Sequence, residues 1–327
     1  MKSVRTVLRG VAVLCMGLIG PELWAQCTSN APNNVPQQCP GTTLTLNGSA
    51  SGGQAPYTYQ WTPAAGLNNP NIAAPVLTVP GTSTVYTLTI TDDNGCTDTD
   101  QVTVTPLPGA NAALTSPNAL FTVFNGVPTF YKCSQNATSL YIFDFGGAAT
   151  AGSTHTISWG DASPNYTATG TNFPQQQHSY AQGFYTLTYT ITQSNGCNDS
   201  QQYSIFLGSN PAVGIGNPGN TNVCGPNQLV FPITGTTNNP AGTIYTVTFN
   251  EGSAPVVFPH PPPASVSHLF TISSCGTTSS NGLTNFPNSF SATIVAENPC
   301  GLSSGSVVPI YVSTPPSTDF TVSPNDT

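Results

Sequence analysis

The chain has 327 residues, of which only 5% are charged, and its formal net charge is −8. Nucleic-acid binding relies on lysine and arginine to neutralise phosphates, and four such residues against twelve carboxylates exclude it. Glycine and proline number 31 each, and tyrosine and phenylalanine are well supplied. This composition is typical of many short strands joined by turns.

Residues 1–25 are typical of a cleaved export signal. Three basic residues precede an apolar run that is too short to span a bilayer, and Ala25 is a suitable cleavage position. We therefore expect an exported protein, extracellular or on a cell surface, with no membrane insertion after cleavage. The mature chain would keep one lysine, Lys132, against eleven carboxylates, which gives a net charge of −10.

Three segments along the chain end alike, in an Asn-Gly or Asn-Pro pair followed by Cys96, Cys197 or Cys300. The residues six, eight and ten positions before each cysteine are apolar, and threonine or serine stands between them. This alternation indicates a strand with one buried face. A second apolar strand follows each cysteine, so each segment predicts a β-hairpin with a cysteine in its turn.

The repeat predicts an all-β fold of tandem immunoglobulin-like β-sandwich modules in an elongated array, because the three cysteines lie 101 and 103 residues apart. The expected ranges are 26–107 for module 1, 108–209 for module 2 and 210–314 for module 3. The segment 315–327 is expected to be a linker or the start of a truncated fourth module. Short, proline-rich joints at these boundaries limit the swing between modules.

Eight cysteines remain after the expected cleavage, and an even number in an exported chain favours disulfides over metal ligands. Each module has an early cysteine and a hairpin cysteine, and we predict that they pair within the module. The predicted pairs are Cys39 with Cys96, Cys133 with Cys197, and Cys224 with Cys300. Cys27 and Cys275 are then left over, and they would pair with each other, pair across modules, or show that the third pair is wrong.

Two segments of module 2 carry a specific motif. Residues 158–163 read SWGDAS, and 178–180 read HSY, followed by GFYTLTY at 183–189. They resemble the W-x-F-G-D-G-S, H-x-Y and G-x-Y-x-V-x-L segments of the PKD (polycystic kidney disease) domain family, an immunoglobulin-like sandwich repeated in bacterial surface and secreted proteins. The resemblance implies structural roles for five residues: Trp159, Gly160, Asp161, His178 and Tyr180.

The resemblance weakens outside module 2. Module 3 has FNEGS at 249–253 and HLF at 268–270, whereas module 1 lacks the Gly-Asp segment and is closer to other immunoglobulin-like repeats. The resemblance to this family implies one of four functions: spacing, adhesion, contact with proteins or carbohydrates, or support of a hydrolase as its stalk.

No set of residues predicts catalysis or a cofactor. The four histidines, at positions 155, 178, 260 and 268, fit no metal-binding helix and no converging constellation. The pentapeptide GLSSG at 301–305 matches the nucleophile elbow of hydrolases, but that elbow needs a strand running into a helix. Here the pentapeptide leads into another predicted strand, so we expect a chance match.

Two weaker ligand sites remain open. Asp92, Asp98 and Asp100 surround the first hairpin turn and are weak calcium candidates, although aspartates near Asn-Gly are also ordinary turn residues.

Aromatic residues could form a platform for stacking sugars, and the candidates are Tyr57, Tyr59, Trp61, Trp159 and Tyr166. The two tryptophans fall where a sandwich buries its core tryptophan, which favours burial over binding.

The sequence therefore predicts a non-catalytic extracellular spacer or adhesion protein. The alternative is a set of accessory modules that bind a glycan or protein for a larger secreted hydrolase. In either case the expected partner is an extracellular protein or glycan.

Overall fold

The computed structural model describes residues 26–134, 136–146, 151–171 and 173–314, so the expected export signal and the segment 315–327 lie outside the described residues. Within the described ranges the regular secondary structure is β-strand, and no helix is long and apolar enough to cross a membrane. The prediction of an all-β fold of tandem sandwich modules is confirmed. The chain divides into two compact units, the first ending at Pro108 and the second beginning at Gly109.

Unit 1 contains one sandwich, module 1. Its strands are β1 (Thr28–Asn30), β2 (Thr43–Thr45), β3 (Ser49–Ser51), β4 (Thr58–Thr62), β5 (Val76–Thr78), β6 (Thr84–Thr91) and β7 (Thr97–Val104). Strands β4, β6 and β7 form an antiparallel sheet, while β1 pairs with β3 and β2 with β5. The core is centred on Trp61, Leu88 and Ile90, whose side chains are fully buried.

Unit 2 begins with a second sandwich, module 2. Its strands are β8 (Leu114–Thr115), β9 (Leu120–Phe124), β10 (Val127–Cys133), β11 (Thr138–Phe145), β12 (Thr154–Ser158), β13 (Tyr166–Thr169), β14 (Gln176–Ala181), β15 (Gly183–Thr192) and β16 (Asn198–Gly208). One sheet has the order β13-β12-β15-β16-β10-β9 and the other β14-β11-β8. Both sheets contribute to the core, for example Tyr141 from β11 and Ile191 from β15.

Unit 2 continues with a third sandwich, module 3. Its strands are β17 (Gly214–Ile215), β18 (Asn222–Cys224), β19 (Asn227–Thr234), β20 (Ile244–Phe249), β21 (Val256–Pro259), β22 (Ser265–Phe270), β23 (Thr278–Ser280), β24 (Asn285–Pro287), β25 (Phe290–Asn298) and β26 (Gly301–Ser313). The larger sheet has the order β18-β26-β25-β20-β21, and β17-β19-β22 forms a second sheet. Phe231 and Ile294 are fully buried between them.

The three predicted hairpins are confirmed. They are β6–β7, β15–β16 and β25–β26, each antiparallel and each with its marker cysteine in the connecting turn. The residues six, eight and ten positions before each cysteine are at most 2% exposed. Alternation with threonine and serine therefore directs one face of each long strand into its module's core.

Candidate functional site: the histidine motif and the cysteines at the module ends

The histidine motif of module 2 consists of residues 159–161, His178 and Tyr180, and its two segments are in contact with each other. Nε2 of His178 lies 2.7 Å from Oδ2 of Asp161, and its imidazole stacks on Trp159 with ring centroids 4.3 Å apart. The hydroxyl of Tyr180 donates to the carbonyl of Trp159 over 3.0 Å. Burial alone would raise the pKa of Asp161, but hydrogen bonds from His178 and Ser163 outweigh it, so this pKa lies below its ordinary value. The motif thus joins two segments of one module.

Gly160 completes the motif through its backbone. Its φ of +82° lies in the left-handed region, which glycine adopts without strain. A Cβ at this position would lie 2.1 Å from the carbonyl oxygen of Thr186 on β15. The close approach of the turn to β15 therefore requires glycine.

Module 3 repeats this arrangement with different residues. His268 hydrogen-bonds to the carboxylate of Glu251 and stacks on Phe249 at a centroid distance of 3.7 Å. Histidine and carboxylate are 17 residues apart in both modules. Phe270 packs edge-on against Phe249, where module 2 has the tyrosine. The recurrence favours a packing role over a catalytic one.

The other two histidines are held by tyrosines. Nδ1 of His155 lies 2.8 Å from the hydroxyl of Tyr189, and Nδ1 of His260 lies 2.9 Å from the hydroxyl of Tyr245. Burial lowers the pKa of both histidines, which keeps them neutral at pH 7. Among the described residues, no group of three or more histidine, cysteine or acidic side chains is placed to hold a metal ion.

The calcium candidates of module 1 accept backbone hydrogen bonds. Oδ2 of Asp98 accepts from the amide of Ser29 over 2.7 Å, and Oδ2 of Asp100 accepts from the amide of Ala31 over 2.9 Å. Asp92 accepts amides at positions 54, 94 and 96 around the hairpin turn. These carboxylates fasten the N-terminal segment and close the turn.

The aromatic candidates are core residues or border the core. Trp61 is fully buried and Trp159 is 5% exposed, as the sandwich pattern predicts. Tyr57, Tyr59 and Tyr166 are partly buried against their modules' cores. The first two tyrosines also line a polar cavity of about 490 Å³ on module 1.

The hydrolase-like pentapeptide lies at the start of β26, where Ser303 is paired with Ala296 of β25. A serine in a strand ladder lacks the strand-to-helix turn of a nucleophile elbow.

All three predicted disulfide pairs are wrong. Cys96 is bonded to Cys27, and Cys133 is bonded to Cys300. Two of the remaining cysteines, at positions 39 and 197, are also disulfide-bonded, whereas those at 224 and 275 are exposed free thiols.

Strand geometry explains why the early cysteine predicted for each module does not pair with that module's hairpin cysteine. In module 2, Cys133 lies opposite Gly208, at the far end of β16 from the turn that holds Cys197. The eleven residues of β16 span roughly 35 Å, and a disulfide needs Cα atoms within about 7 Å. In module 3, Cys224 lies opposite Ser313, the last residue of β26, while Cys300 precedes its first.

The same geometry holds in module 1. The carbonyl of Gln38, the residue before Cys39, accepts from the amide of Leu107, beyond the end of β7. Cys96 precedes the first residue of β7. In each module the early cysteine and the hairpin cysteine thus lie at opposite ends.

The Cys133–Cys300 disulfide joins two sandwiches. The Cα atoms of the bonded residues lie 5.6 Å apart. Beside the bond, Nδ2 of Asn298 donates to the carbonyl of Ser209 over 3.0 Å, and Sγ of Cys300 lies 3.7 Å from the carbonyl oxygen of Gly208. The hairpin turn of module 3 is therefore seated on the end of module 2.

Comparisons with known proteins give distant structural similarities. No family model matches the chain, and no curated protein matches it. A solved structure titled as a Ca²⁺-stabilized adhesin that helps an Antarctic bacterium reach out and bind ice is 15% identical, with 89% of this chain and 75% of that chain covered and a TM-score of 0.24.

Two animal proteins give similar values. The FN1–FN3 domains of chicken CNTN1 are 10% identical, with 85% of this chain and 96% of that chain covered and a TM-score of 0.31. The extracellular domains 3–5 of Drosophila OTK are also 10% identical, with coverages of 91% and 99% and a TM-score of 0.31. Similarities at these TM-scores carry no inference about function.

The disulfide between modules is the feature that sequence reasoning missed. One signal could have indicated it. The hairpin cysteine of module 1 is bonded to Cys27, and modules 2 and 3 have no cysteine in the equivalent position. The hairpin cysteines of modules 2 and 3 therefore lack an equivalent partner within their own module.

Proposed function

We propose that this chain is a non-catalytic extracellular spacer or adhesion protein built from PKD-type modules. The observation that carries the proposal is the Cys133–Cys300 disulfide, which bonds one sandwich to the next. A covalent bond between modules limits how far the chain extends when its ends are pulled apart.

The route of tension through the chain supports this proposal. In unit 2, tension that enters at the N-terminal side passes through Cys133 to Cys300 and leaves along β26. Residues 134–299 are bypassed, so most of modules 2 and 3 does not unravel under force. The Cys27–Cys96 disulfide bypasses most of module 1 in the same way.

The disulfides also support an exported location, extracellular or on a cell surface, because disulfides persist mainly in oxidising compartments. The binding partner that we propose for such a protein is an extracellular protein or glycan.

Stretching of single molecules tests the spacer function. The Cys27–Cys96 and Cys133–Cys300 disulfides close loops with sequence separations of 69 and 167 residues. At about 3.5 Å per extended residue, these loops hold roughly 800 Å of chain. We expect the fully unfolded mature chain, held by its ends, to be longer by that amount after reduction.

The control for this measurement is a Cys275→Ser variant, which removes only a free thiol and should match the oxidised wild-type length. Equal unfolded lengths before and after reduction would contradict the proposal.

A second candidate is a glycan- or protein-binding accessory module of a larger secreted hydrolase. The cavity beside Tyr57 and Tyr59 favours it, because tyrosine rings and polar groups together suit sugar binding.

A further inference from the structure

Cys224 holds the same place in module 3 that Cys133 holds in module 2. Each ends a strand that runs parallel to the last hairpin strand of its module, and each lies opposite the final residue of that strand, Gly208 or Ser313. The next backbone amide donates to that residue's carbonyl in both cases, over 2.7 Å from Ser134 and 2.8 Å from Gly225. The two cysteines are therefore equivalent by register and by hydrogen bonding.

The two equivalent cysteines differ in what covers them. Cys133 is bonded to the hairpin turn of module 3, whereas Cys224 is a free, exposed thiol. Cys224 lines a cavity of about 470 Å³ together with Val223, Cys275 and Tyr311. This cavity lies at the end of module 3 opposite the turn that holds Cys300. The end of module 3 that carries Cys224 is therefore exposed, whereas the equivalent end of module 2 is covered by the hairpin turn of module 3.

We propose that this end of module 3 docks the hairpin turn of a further module of the same kind, and that Cys224 forms a disulfide with the cysteine of that turn. The proposal extends the spacer function from two joined modules to a longer series. Its test measures disulfide formation between chains and is independent of the stretching experiment.

The chemistry of the occupant follows from the hairpin turns of modules 2 and 3. In module 3, Oδ1 of Asn298 accepts from the amide of Cys300 over 2.9 Å, which leaves Nδ2 to donate to module 2. Asn195 and Cys197 of module 2 make the same contact over 2.9 Å. A matching occupant therefore carries an Asn-x-Cys turn.

The proposed bond needs an oxidant. Two thiols lose two protons and two electrons as their sulfurs join, and a disulfide oxidant such as oxidised glutathione is reduced to two thiols. The attacking group is a thiolate, and exposure of Cys224 gives the oxidant access to it.

A Cys27→Ser variant of the mature chain supplies the probe, because it frees Cys96 in the hairpin turn of module 1. With oxidised glutathione, we expect this variant to form disulfide-linked chains, joined from Cys96 of one copy to Cys224 of the next. A non-reducing gel should show a ladder, and peptide mapping should recover the linked pair.

Two double variants identify the thiol that reacts. Adding Cys224→Ser should abolish the ladder, whereas adding Cys275→Ser should leave it unchanged. A folded Cys27→Ser variant that stays monomeric, or one that links equally well through Cys275, would overturn the proposal.

A measurement on the wild-type chain keeps the test decisive if the Cys27→Ser variant does not fold. Alkylation of the native, oxidised protein should label both Cys224 and Cys275. A peptide that links these two cysteines within one chain would show that Cys224 has a different partner, and the proposal would then be wrong.

Discussion

Replacing Cys133 and Cys300 together with serine should lower the free energy of unfolding of unit 2 by about 4 to 5 kcal/mol. The disulfide closes a loop with a sequence separation of 167 residues, and its loss restores conformational entropy to the unfolded chain. The unfolded loop that the disulfide closes is shorter if module 2 unfolds while module 3 stays folded. The entropy of closing that loop depends only on the logarithm of its length, so the expected effect changes little. Denaturant unfolding followed by circular dichroism measures the change.

The matched control for the disulfide variant is Cys275→Ser, because Cys275 is an exposed free thiol. We expect its unfolding free energy to lie within about 0.5 kcal/mol of wild type. If both variants unfolded at the wild-type midpoint, the disulfide would not stabilise unit 2.

Replacing Trp159 with alanine should lower the free energy of unfolding of unit 2 by about 3 to 5 kcal/mol. The side chain is 5% exposed, stacks on His178 and lies 6.1 Å from the ring of Phe143. Its removal leaves a cavity in the core and takes away the surface on which the histidine rests. The hydrogen bond from Tyr180 goes to the backbone at position 159 and would remain.

A Val123→Ala variant is the control for Trp159, since Val123 of the same module is 62% exposed. The control should change the unfolding free energy by at most about 0.5 kcal/mol. Equal effects of the two variants in the same denaturant series would contradict the core role of the tryptophan.

The hairpins could be predicted from the sequence because their signals are local. Alternating apolar and hydroxyl residues specify one buried face of each strand, and an Asn-Gly or Asn-Pro dipeptide specifies the turn. Ile90, Ile191 and Ile294 are fully buried, as their shared register predicts. The burial of Trp61 and Trp159 agrees with a separate expectation, that they take the place of a sandwich's core tryptophan.

The disulfide pairing could not be predicted in this way because it depends on where strands end in space. Nothing in the sequence near Cys133 shows that its strand runs parallel to β16 and ends beside Gly208. Distance along the chain favours a partner in the same module, whereas strand length places that partner roughly 35 Å away.

The histidine motif could be predicted less well than the hairpins but better than the disulfide pairing. Its residues were identified by resemblance, and the structure supplies the physical reason for each one. Gly160 is needed for close approach to β15, and His178 joins the turn through Asp161 while it covers Trp159. The copy around His268 was recognisable only as a weak match, because phenylalanine and glutamate replace tryptophan and aspartate.

Disulfide mapping of the oxidised mature chain is the most direct test of the central claim that modules 2 and 3 are covalently joined. Lys132 is the single expected tryptic site after signal cleavage, so a protease of different specificity must cut the chain between the cysteines. The structure predicts linked peptides that contain Cys133 with Cys300 and Cys27 with Cys96. Recovery of Cys133 linked to Cys197 instead, a pair within one module, would contradict the account.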